Sequence, residues 1–545
     1  MIMKRVIRNF YVIRCLSLSP KKFLINLPFW HPPKLDDTLS KLLVHAKSVE
    51  TTDNFNKLQI KIKEYGNNMG IHHQQQLEKT VAANPHWVFK TWLNDMYLYN
   101  SLPLPIYSNP AMMFEKQKFK SDEDWIRFAS DLSCKILMFR SKIINSEVEI
   151  ERVKTSTNDL VPLCMDQYQM IFCGVRRPGF NQDHLIKHSP NVKKDSDCHI
   201  LVLAKNQFFK VNVVKNGENI APDQLAETIR SIVSCTQNTI PSVGVIIRRD
   251  GVAGINFEHS AAEGIVYIKM FKDILNFKVD FKEPSSHSFE WNKLNWYIDD
   301  VTTQWIEKAF DHHEKLTNDL TMRLVQIDEF GKADLKKVSI SPDAFIQISL
   351  QVAYYCLHKK LAHSYESVSL RQFDRGRADN IRANNPAVRR LAELISENNN
   401  NFYLSAVPEN IKDSFIEAFK FHSKVMQNAI AGMGPDLHLT CLKYIDTNAD
   451  VFNDEILKNM FKFLLSTSQV STSSCDTIMY YGPVLNDSYS VAYNIQEKGI
   501  VLNISTMNSS SITLLNDFAH EVIESLFLMH YIATDVHRLN SAQEV

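Results

Sequence analysis

The stretch that most constrains this chain is Gly251–Ile268, GVAGINFEHSAAEGIVYI. An apolar, β-prone run leads into a polar loop, Glu258-His259-Ser260-Ala261-Ala262-Glu263-Gly264, and a second β-prone run follows from Ile265 to Ile268. The pattern predicts strand, loop, strand. A histidine held in such a loop can act as a general base, because its ordinary pKa lies near neutrality. Glu263, four residues on, can hold the imidazole in one tautomer and stabilise the imidazolium.

Length and composition bound the rest. At 545 residues the chain has room for two or more domains. Its 44% hydrophobic and 22% charged content is ordinary for a soluble globular protein. Lys+Arg and Asp+Glu both number 61, so charge gives no case for nucleic acid or a membrane as partner. Nine cysteines, scattered without metal-ligand spacing, read as free thiols in a reducing compartment. No apolar run reaches transmembrane length. Lys4, Arg5, Arg8, Arg14, Lys21 and Lys22 all precede the first acidic residue, Asp36. This leader is similar to a mitochondrial transit peptide; a basic arm or an early start codon is the alternative, and a mitochondrial or cytoplasmic location stays open.

Other signals follow along the chain. Phe29-Trp30-His31-Pro32-Pro33 marks entry to the folded body, and Asp36 to Tyr65 has helical periodicity. Ile71–Gln76 begins a polar helix whose paired histidines, His72 and His73, are expected on a solvated face, as are His312 and His313. From Trp87 a helix gives way to Pro103, Pro105 and Pro110. Asn206–Val211 alternates as a strand, a long helical stretch runs from Leu294 towards Met322, and Asn398–Asn401 is a surface loop. Ser341-Pro342-Asp343 makes a helix start, and the residues after it continue a buried helix. The lysines before it, Lys332, Lys336 and Lys337, can meet phosphate groups or simply form a solvated face.

Several segments together carry a resemblance. They are His259-x-x-x-Glu263-Gly264, WLNDMYL at Trp92–Leu98, PLCMDQY at Pro162–Tyr168, Arg177-Pro178-Gly179, SPDAFIQ at Ser341–Gln347, YESVSLRQFDRGRADNIR at Tyr365–Arg382, Ser466-Thr467-Ser468, and MYYGPV at Met479–Val484. The chain resembles the choline/carnitine acyltransferase family over nearly its whole length after residue 30. The resemblance implies an α/β fold of two domains resembling chloramphenicol acetyltransferase, with an active-site tunnel at their interface. The expected divisions are a leader over 1–27, a helical part of the C-terminal domain over 28–90, an N-terminal domain over 91–297 and a C-terminal domain over 298–545. It implies transfer of a short acyl group between coenzyme A and the hydroxyl of a quaternary ammonium alcohol. His259 would be the base, Glu263 its partner and Ser468 the donor to the oxyanion. Lys332, Lys336, Asp343 and Gln469 would hold coenzyme A, with Lys337 a weaker candidate. Tyr365, Ser367, Asn380, Ser466, Tyr481 and Val484 would form the acceptor side, aromatic walls suiting a trimethylammonium group. A bulky residue near Met479 would close the tunnel to long acyl chains. Acetyl-coenzyme A enters as co-substrate; no permanent cofactor or metal is called for, and the protein is expected to be a monomer.

Two features of the sequence depart from the family. Carnitine-using members pair the carboxylate of carnitine with an arginine in an Asp-Arg-His-Leu motif and offer threonines after Gly-Arg. Here the corresponding residues are Leu437 in Pro435-Asp436-Leu437-His438-Leu439, and Ala378-Asp379-Asn380. A carboxylate buried against leucine would cost several kcal/mol, so choline is favoured as acceptor. Carnitine stays open, because His-Ser-Ala-Ala-Glu-Gly is similar to the loop of that branch. Second, after Asn238–Gly244 the chain passes almost at once to Asp250-Gly251. Family members carry several tens of further residues there, which supply helices and a strand of the N-terminal half. Their loss is expected to expose apolar faces or an unpaired sheet edge. It leaves two other readings, a homologue that binds ligands without catalysis and a non-functional isoform.

Overall fold

The structure, a computed structural model, describes residues 25–154, 159–187, 198–204, 207–215, 218–234, 244–279, 289–398, 406–469 and 478–543. The basic leader, Asn238–Val243, Pro284 and Asn399–Asn401 lie outside the described residues.

Trp30 opens the folded body as expected: it is buried, and its indole N–H donates to the Gly432 carbonyl at 2.9 Å. Three helices follow, α1 (Leu35–Val49), α2 (Thr52–Asn67) and α3 (Met69–Ala83). Thr51 caps α2 by accepting from the Asn54 N–H. The paired histidines of α3 do not both face water. His72 does, but His73 is buried, with Nδ1 3.1 Å from the Tyr65 hydroxyl. A short strand β1 (Ala111–Met113) comes next, then α4 (Asp122–Ile144), started by a capping box between Ser121 and Asp124. The alternating run Gln207–Asn212 is a strand, flanked by His199–Ala204 and Trp291–Lys293 in a three-stranded sheet.

The strands β2 (Val245–Ile247) and β3 (Ala253–Asn256) lead to the loop at His259. Beyond it the expected second strand is absent. Gly264–Asn276 is a helix, α5. Its β-prone residues recur at helical spacing, and Val266, Tyr267, Met270, Phe271 and Ile274 are all buried against β1 and β3. Burial of one face outweighed the local preference of a four-residue run, which periodicity alone cannot assign. The stretch from Leu294 is likewise divided: α6 (Asp300–Asp319) is helical, but Leu320–Ile327 is strand β4.

The C-terminal part begins with α7 (Pro342–His358), where Ser341 is the cap and Pro342 sits at the first turn. Strands β5 (Ser364–Ser369) and β6 (Ala378–Ile381), helix α8 (Pro435–Ile445), strands β7 (Leu465–Gln469), β8 (Ile478–Tyr480), β9 (Tyr489–Ile495) and β10 (Ile500–Met507), and helix α9 (Leu515–Gln543) follow, with helices Pro386–Glu397 and Glu409–Ile430 between β6 and α8 and two short ones, Asp450–Asn453 and Glu455–Met460, before β7.

Two sheets position the site. The larger has the order β4-β10-β9-β7-β5-β6 and the smaller β2-β3-β1-β8. β8 therefore lies in the smaller sheet although its sequence neighbours β7 and β9 lie in the larger. The junction is tight. The Tyr481 hydroxyl donates to the Ser466 carbonyl at 2.9 Å, and the Gly482 N–H donates to the Ile106 carbonyl at 3.1 Å. Any side chain at position 482 would strike the Ile106 carbonyl, so glycine is required there.

Side-chain alternation sorts the larger sheet into two faces. Register pairs Tyr365 with Ser466, Ser466 with Ser490, Ser367 with Asn380, and Ser468 with Ala492, so these residues share one face. Glu366, Thr467 and Tyr493 take the other, which packs on α7 and α9.

Candidate active site

His259 sits where the chain leaves β3, and the loop around it is tied down from four directions. The His259 N–H donates to Asn109 Oδ1 at 3.3 Å, and the Tyr267 hydroxyl donates to the Glu258 carbonyl at 3.1 Å. The Glu263 N–H donates to Gln167 Oε1 at 2.8 Å. Arg377, from the turn before β6, supplies the fourth tie with all three of its guanidinium nitrogens. Nε meets Glu263 Oε1 at 2.7 Å, Nη1 the Ser260 carbonyl at 2.9 Å, and Nη2 the His259 carbonyl at 3.2 Å. A planar guanidinium, with five N–H donors fixed in a fork, spans a carboxylate and two carbonyls that lie apart along the loop. The guanidinium also lies 5.4 Å from the Trp92 ring centre and 5.7 Å from that of Tyr97.

The imidazole is 23% exposed, enough to meet a substrate without being bathed in water. Its Nδ1 lies 3.3 Å from the Ala262 carbonyl and 3.9 Å from Glu263 Oε2. A carbonyl can only accept, so that contact suits the tautomer that carries its proton on Nδ1. Tyr97 lies tilted over the ring, centroids 4.8 Å apart, with its hydroxyl 3.2 Å from Nδ1 and 3.4 Å from Nε2. Burial, with Glu263 adding to it, pushes the Tyr97 phenol well above its ordinary range, so it stays neutral.

The strand face described above looks towards this loop. Burial and then Glu263 push the Tyr365 phenol up, which places its hydroxyl within the field of the carboxylate that accompanies His259. Ser367 and Ser468 carry exposed surface on the same face, whereas Ser466 is buried. Tyr481 uses its hydroxyl on the Ser466 and Val491 carbonyls, leaving its ring as a wall. Val484 is half-buried in the loop that follows. Met479 is buried and packs in one cluster with Ala492, Phe257 and Ala262.

Asn380 belongs to that face by register but spends its amide within the protein. It is 3% exposed: Oδ1 accepts from the Glu366 N–H at 2.9 Å and Nδ2 donates to the Ser364 carbonyl at 3.3 Å. It lines a small cavity with Lys41, His45 and Arg382. Leu437, in α8, is buried in the helical core with Trp30, Leu370 and Ala378.

Of the coenzyme A candidates, Lys332 and Lys336 stand four apart on a short helix, Lys332–Lys337, and share one face of it. Lys332 is 3.8 Å from Glu497, and Lys337 turns back to Asp334 at 3.0 Å. Asp343 is not on that face. It accepts from the Tyr493 hydroxyl at 2.6 Å, and Gln347 donates to that hydroxyl at 2.8 Å. Burial pushes the Asp343 carboxyl up, and Glu366 beside it adds to the effect; Glu366 is itself pushed up by burial. His422, 3.1 Å from Glu366, is pushed down to about 4 by burial. Gln469 is exposed at the end of β7, on the α7 side of the sheet.

Sequence reasoning missed Arg377, Tyr97, Gln167, Asn109 and Arg176 as parts of this site. Arg176 donates to the Tyr97 carbonyl at 2.7 Å and reaches Glu258 at 3.6 Å, which holds the Tyr97 turn against the loop. Arg377, Tyr97 and Gln167 all lie inside segments that carried the resemblance, so the signal was present but gave no role.

A half-buried imidazole beside a carboxylate, opposite a hydroxyl-lined strand face, is a site for proton-assisted group transfer, and the comparisons name the class. The family model for Choline/Carnitine o-acyltransferase matches residues 32–245 and 241–524. The chain belongs to the choline/carnitine O-acyltransferase family and is an acyltransferase. It is 27% identical to the choline O-acetyltransferase of Sus scrofa over 597 residues, covering 92% of each chain. It is also 27% identical to the human choline O-acetyltransferase, covering 94% of this chain and 80% of that one. The carnitine O-acetyltransferase of Columba livia is 26% identical, covering 94% and 95%. Among solved structures, the epimerization domain of tyrocidine synthetase B is similar at a TM-score of 0.39 and 9% identity, covering 82% of this chain and 96% of that one. The two matched stretches meet at 241–245, where the sequence departs from the family.

Proposed function

We propose that the protein moves an acetyl group between coenzyme A and choline, with His259 as general base. The observation that carries this is the arrangement of His259: Nδ1 against the Ala262 carbonyl and Glu263 clamped by Arg377, which suits a ring that carries its proton on Nδ1 and takes another on Nε2. Nε2 takes the proton of the acceptor hydroxyl, and the alkoxide oxygen attacks the thioester carbonyl. Ser468 donates to the oxygen of the tetrahedral intermediate. As that intermediate collapses, the carbon–sulfur bond breaks and His259 returns its proton to the leaving thiolate. Holding both substrates at one imidazole supplies much of the acceleration by proximity.

Choline is favoured because the position at which carnitine-using members carry an arginine is Leu437, packed in the core. Lys332 and Lys336 supply the cationic face for the phosphates of coenzyme A. The catalytic loop's likeness to the carnitine branch supports carnitine as the second reading. Parallel assays with acetyl-coenzyme A and either choline or carnitine decide between them: turnover confined to choline is expected, and faster turnover of carnitine overturns the assignment. Binding of coenzyme A without turnover of either alcohol favours a ligand-binding homologue, a reading supported by the interruption of the family match at 241–245.

A further inference from the structure

The segment that carries Tyr97 is wound in an unusual way. The helix Trp87–Leu93 runs on into a single wider turn, Asn94–Leu98, in which the Tyr99 N–H donates at 2.9 Å to the Asn94 carbonyl, five residues back. Such turns are rare in proteins and recur at functional sites. Pro103 follows closely, so the helix does not resume its regular ladder, and the carbonyls at its end take donors from elsewhere.

Those donors come from one hairpin, Gly174–Arg177 paired with His184–Lys187. The Asp183 N–H donates to the Leu98 carbonyl at 2.8 Å. Arg176 Nη2 donates to the Tyr97 carbonyl at 2.7 Å and to the Asn100 carbonyl at 2.8 Å. Arg176 Nε is fixed in turn by Asp183 Oδ2 at 2.7 Å. The Arg176 side chain is 3% exposed. Burying a guanidinium carries a large desolvation cost, and apolar contacts alone could join a hairpin to a helix. What the buried cation adds is direction, because it grips the backbone of the residue whose hydroxyl lies 3.2 Å from Nδ1 and 3.4 Å from Nε2 of His259.

We propose that Arg176 is a positioning residue for acyl transfer, holding the carbonyls of the wide turn so that Tyr97 stays against His259, and acting on the imidazole through Tyr97. This rests on the reading of His259 as the base, and not on which alcohol is the acceptor. Without the tie the turn relaxes towards ordinary helical winding, which rotates Tyr97 off the ring. Glu258 offers the competing route. Its Oε1 lies 3.6 Å from Arg176 Nη1 and accepts from the Ser260 N–H at 3.1 Å and the Ser260 hydroxyl at 2.7 Å, so a pull on Glu258 would reach the loop without Tyr97.

Carbethoxylation of His259 by diethyl pyrocarbonate, followed by the mass of the peptide that carries it, reads the cover over the imidazole without any turnover. In Arg176→Met, similar in length but without donors, the rate should rise several-fold. In Tyr97→Ala it should rise at least as far, and the double variant should match Tyr97→Ala alone within about twofold. With the alcohol that wild type acetylates, Arg176→Met should lower kcat by on the order of tenfold and leave the KM for acetyl-coenzyme A unchanged. An unchanged far-ultraviolet spectrum shows that the fold persists. Asp183→Asn, which loosens Nε alone, should give the same pattern in smaller measure and decides the matter if Arg176→Met does not fold. Carbethoxylation at the wild-type rate in these variants overturns the proposal. So do effects that multiply in the double variant, the outcome expected if Arg176 worked through Glu258. A wild type that acetylates neither choline nor carnitine removes the proposed function, while the carbethoxylation rates still decide whether Arg176 acts through Tyr97.

Discussion

Arg377 is the residue on which the geometry of the site turns. One guanidinium holds the carboxylate of Glu263 and the carbonyls of His259 and Ser260. Lysine keeps the charge but has no planar fork. Arg377→Lys is therefore expected to lower kcat by on the order of ten- to a hundredfold, with much less change in the KM for coenzyme A. Steady-state kinetics with each substrate varied check the split. Leu437 gives a second expectation. Because it is 1% exposed in a helical core, Leu437→Arg should not create a carnitine site. It should destabilise the fold by several kcal/mol, since a larger, charged side chain has to enter a packed apolar core; urea denaturation measures this, and carnitine turnover by the variant would contradict it.

At the scale of elements, α5 shows what the sequence could and could not give. The strand before His259 and the loop itself were legible from composition and spacing. The helix after it was not, because Ile265–Ile268 is short, apolar and β-branched, and only packing against β1 and β3 decides its form. The packing also sets a cost. Phe271 is fully buried and stacks on Phe114 with ring centres 4.9 Å apart. Phe271→Ala should remove about 3–5 kcal/mol of stability, read from the urea midpoint at unchanged slope. On the larger sheet, Tyr365, Ser367, Ser466 and Ser468 were legible only as parts of motifs, not as strand residues sharing a face. The register that aligns them was not legible, because it depends on a parallel pairing between strands about a hundred residues apart. The division of Asp343 from the lysines before it was hidden for the same reason, since its partner Tyr493 comes from β9.

The whole molecule should respond to pH through histidines that no step of catalysis uses. His45 and His422 are pushed down to about 4 and His438 to about 3, in each case chiefly by burial. Each is neutral in the folded protein, whereas the unfolded chain takes up protons near 6.5. Between those values the unfolded state binds more protons, so stability falls as pH falls. The carboxyls of Asp343, Glu366 and Asp379, pushed up by burial to about 7, 8 and 7, act in the opposite sense over the same window, so the histidines are read one ring at a time. NMR titration should show the imidazoles of His45, His422 and His438 still neutral at about pH 5, and a ring that protonates near 6.5 would contradict its burial. The family model matches the chain in two stretches that overlap at 241–245. Helix α6 exposes apolar side chains, Trp305 at 62% among them, and nothing in the sequence located that face, since exposure is set by what a helix fails to touch.

The most direct test of the account is transfer of acetyl from acetyl-coenzyme A to choline by wild type and His259→Ala, with coenzyme A affinity measured calorimetrically on both. Wild-type turnover, its loss by at least a thousandfold in the variant, and a coenzyme A affinity within a few-fold of wild type are expected. Turnover by the variant at the wild-type rate would contradict the assignment of His259 as the base.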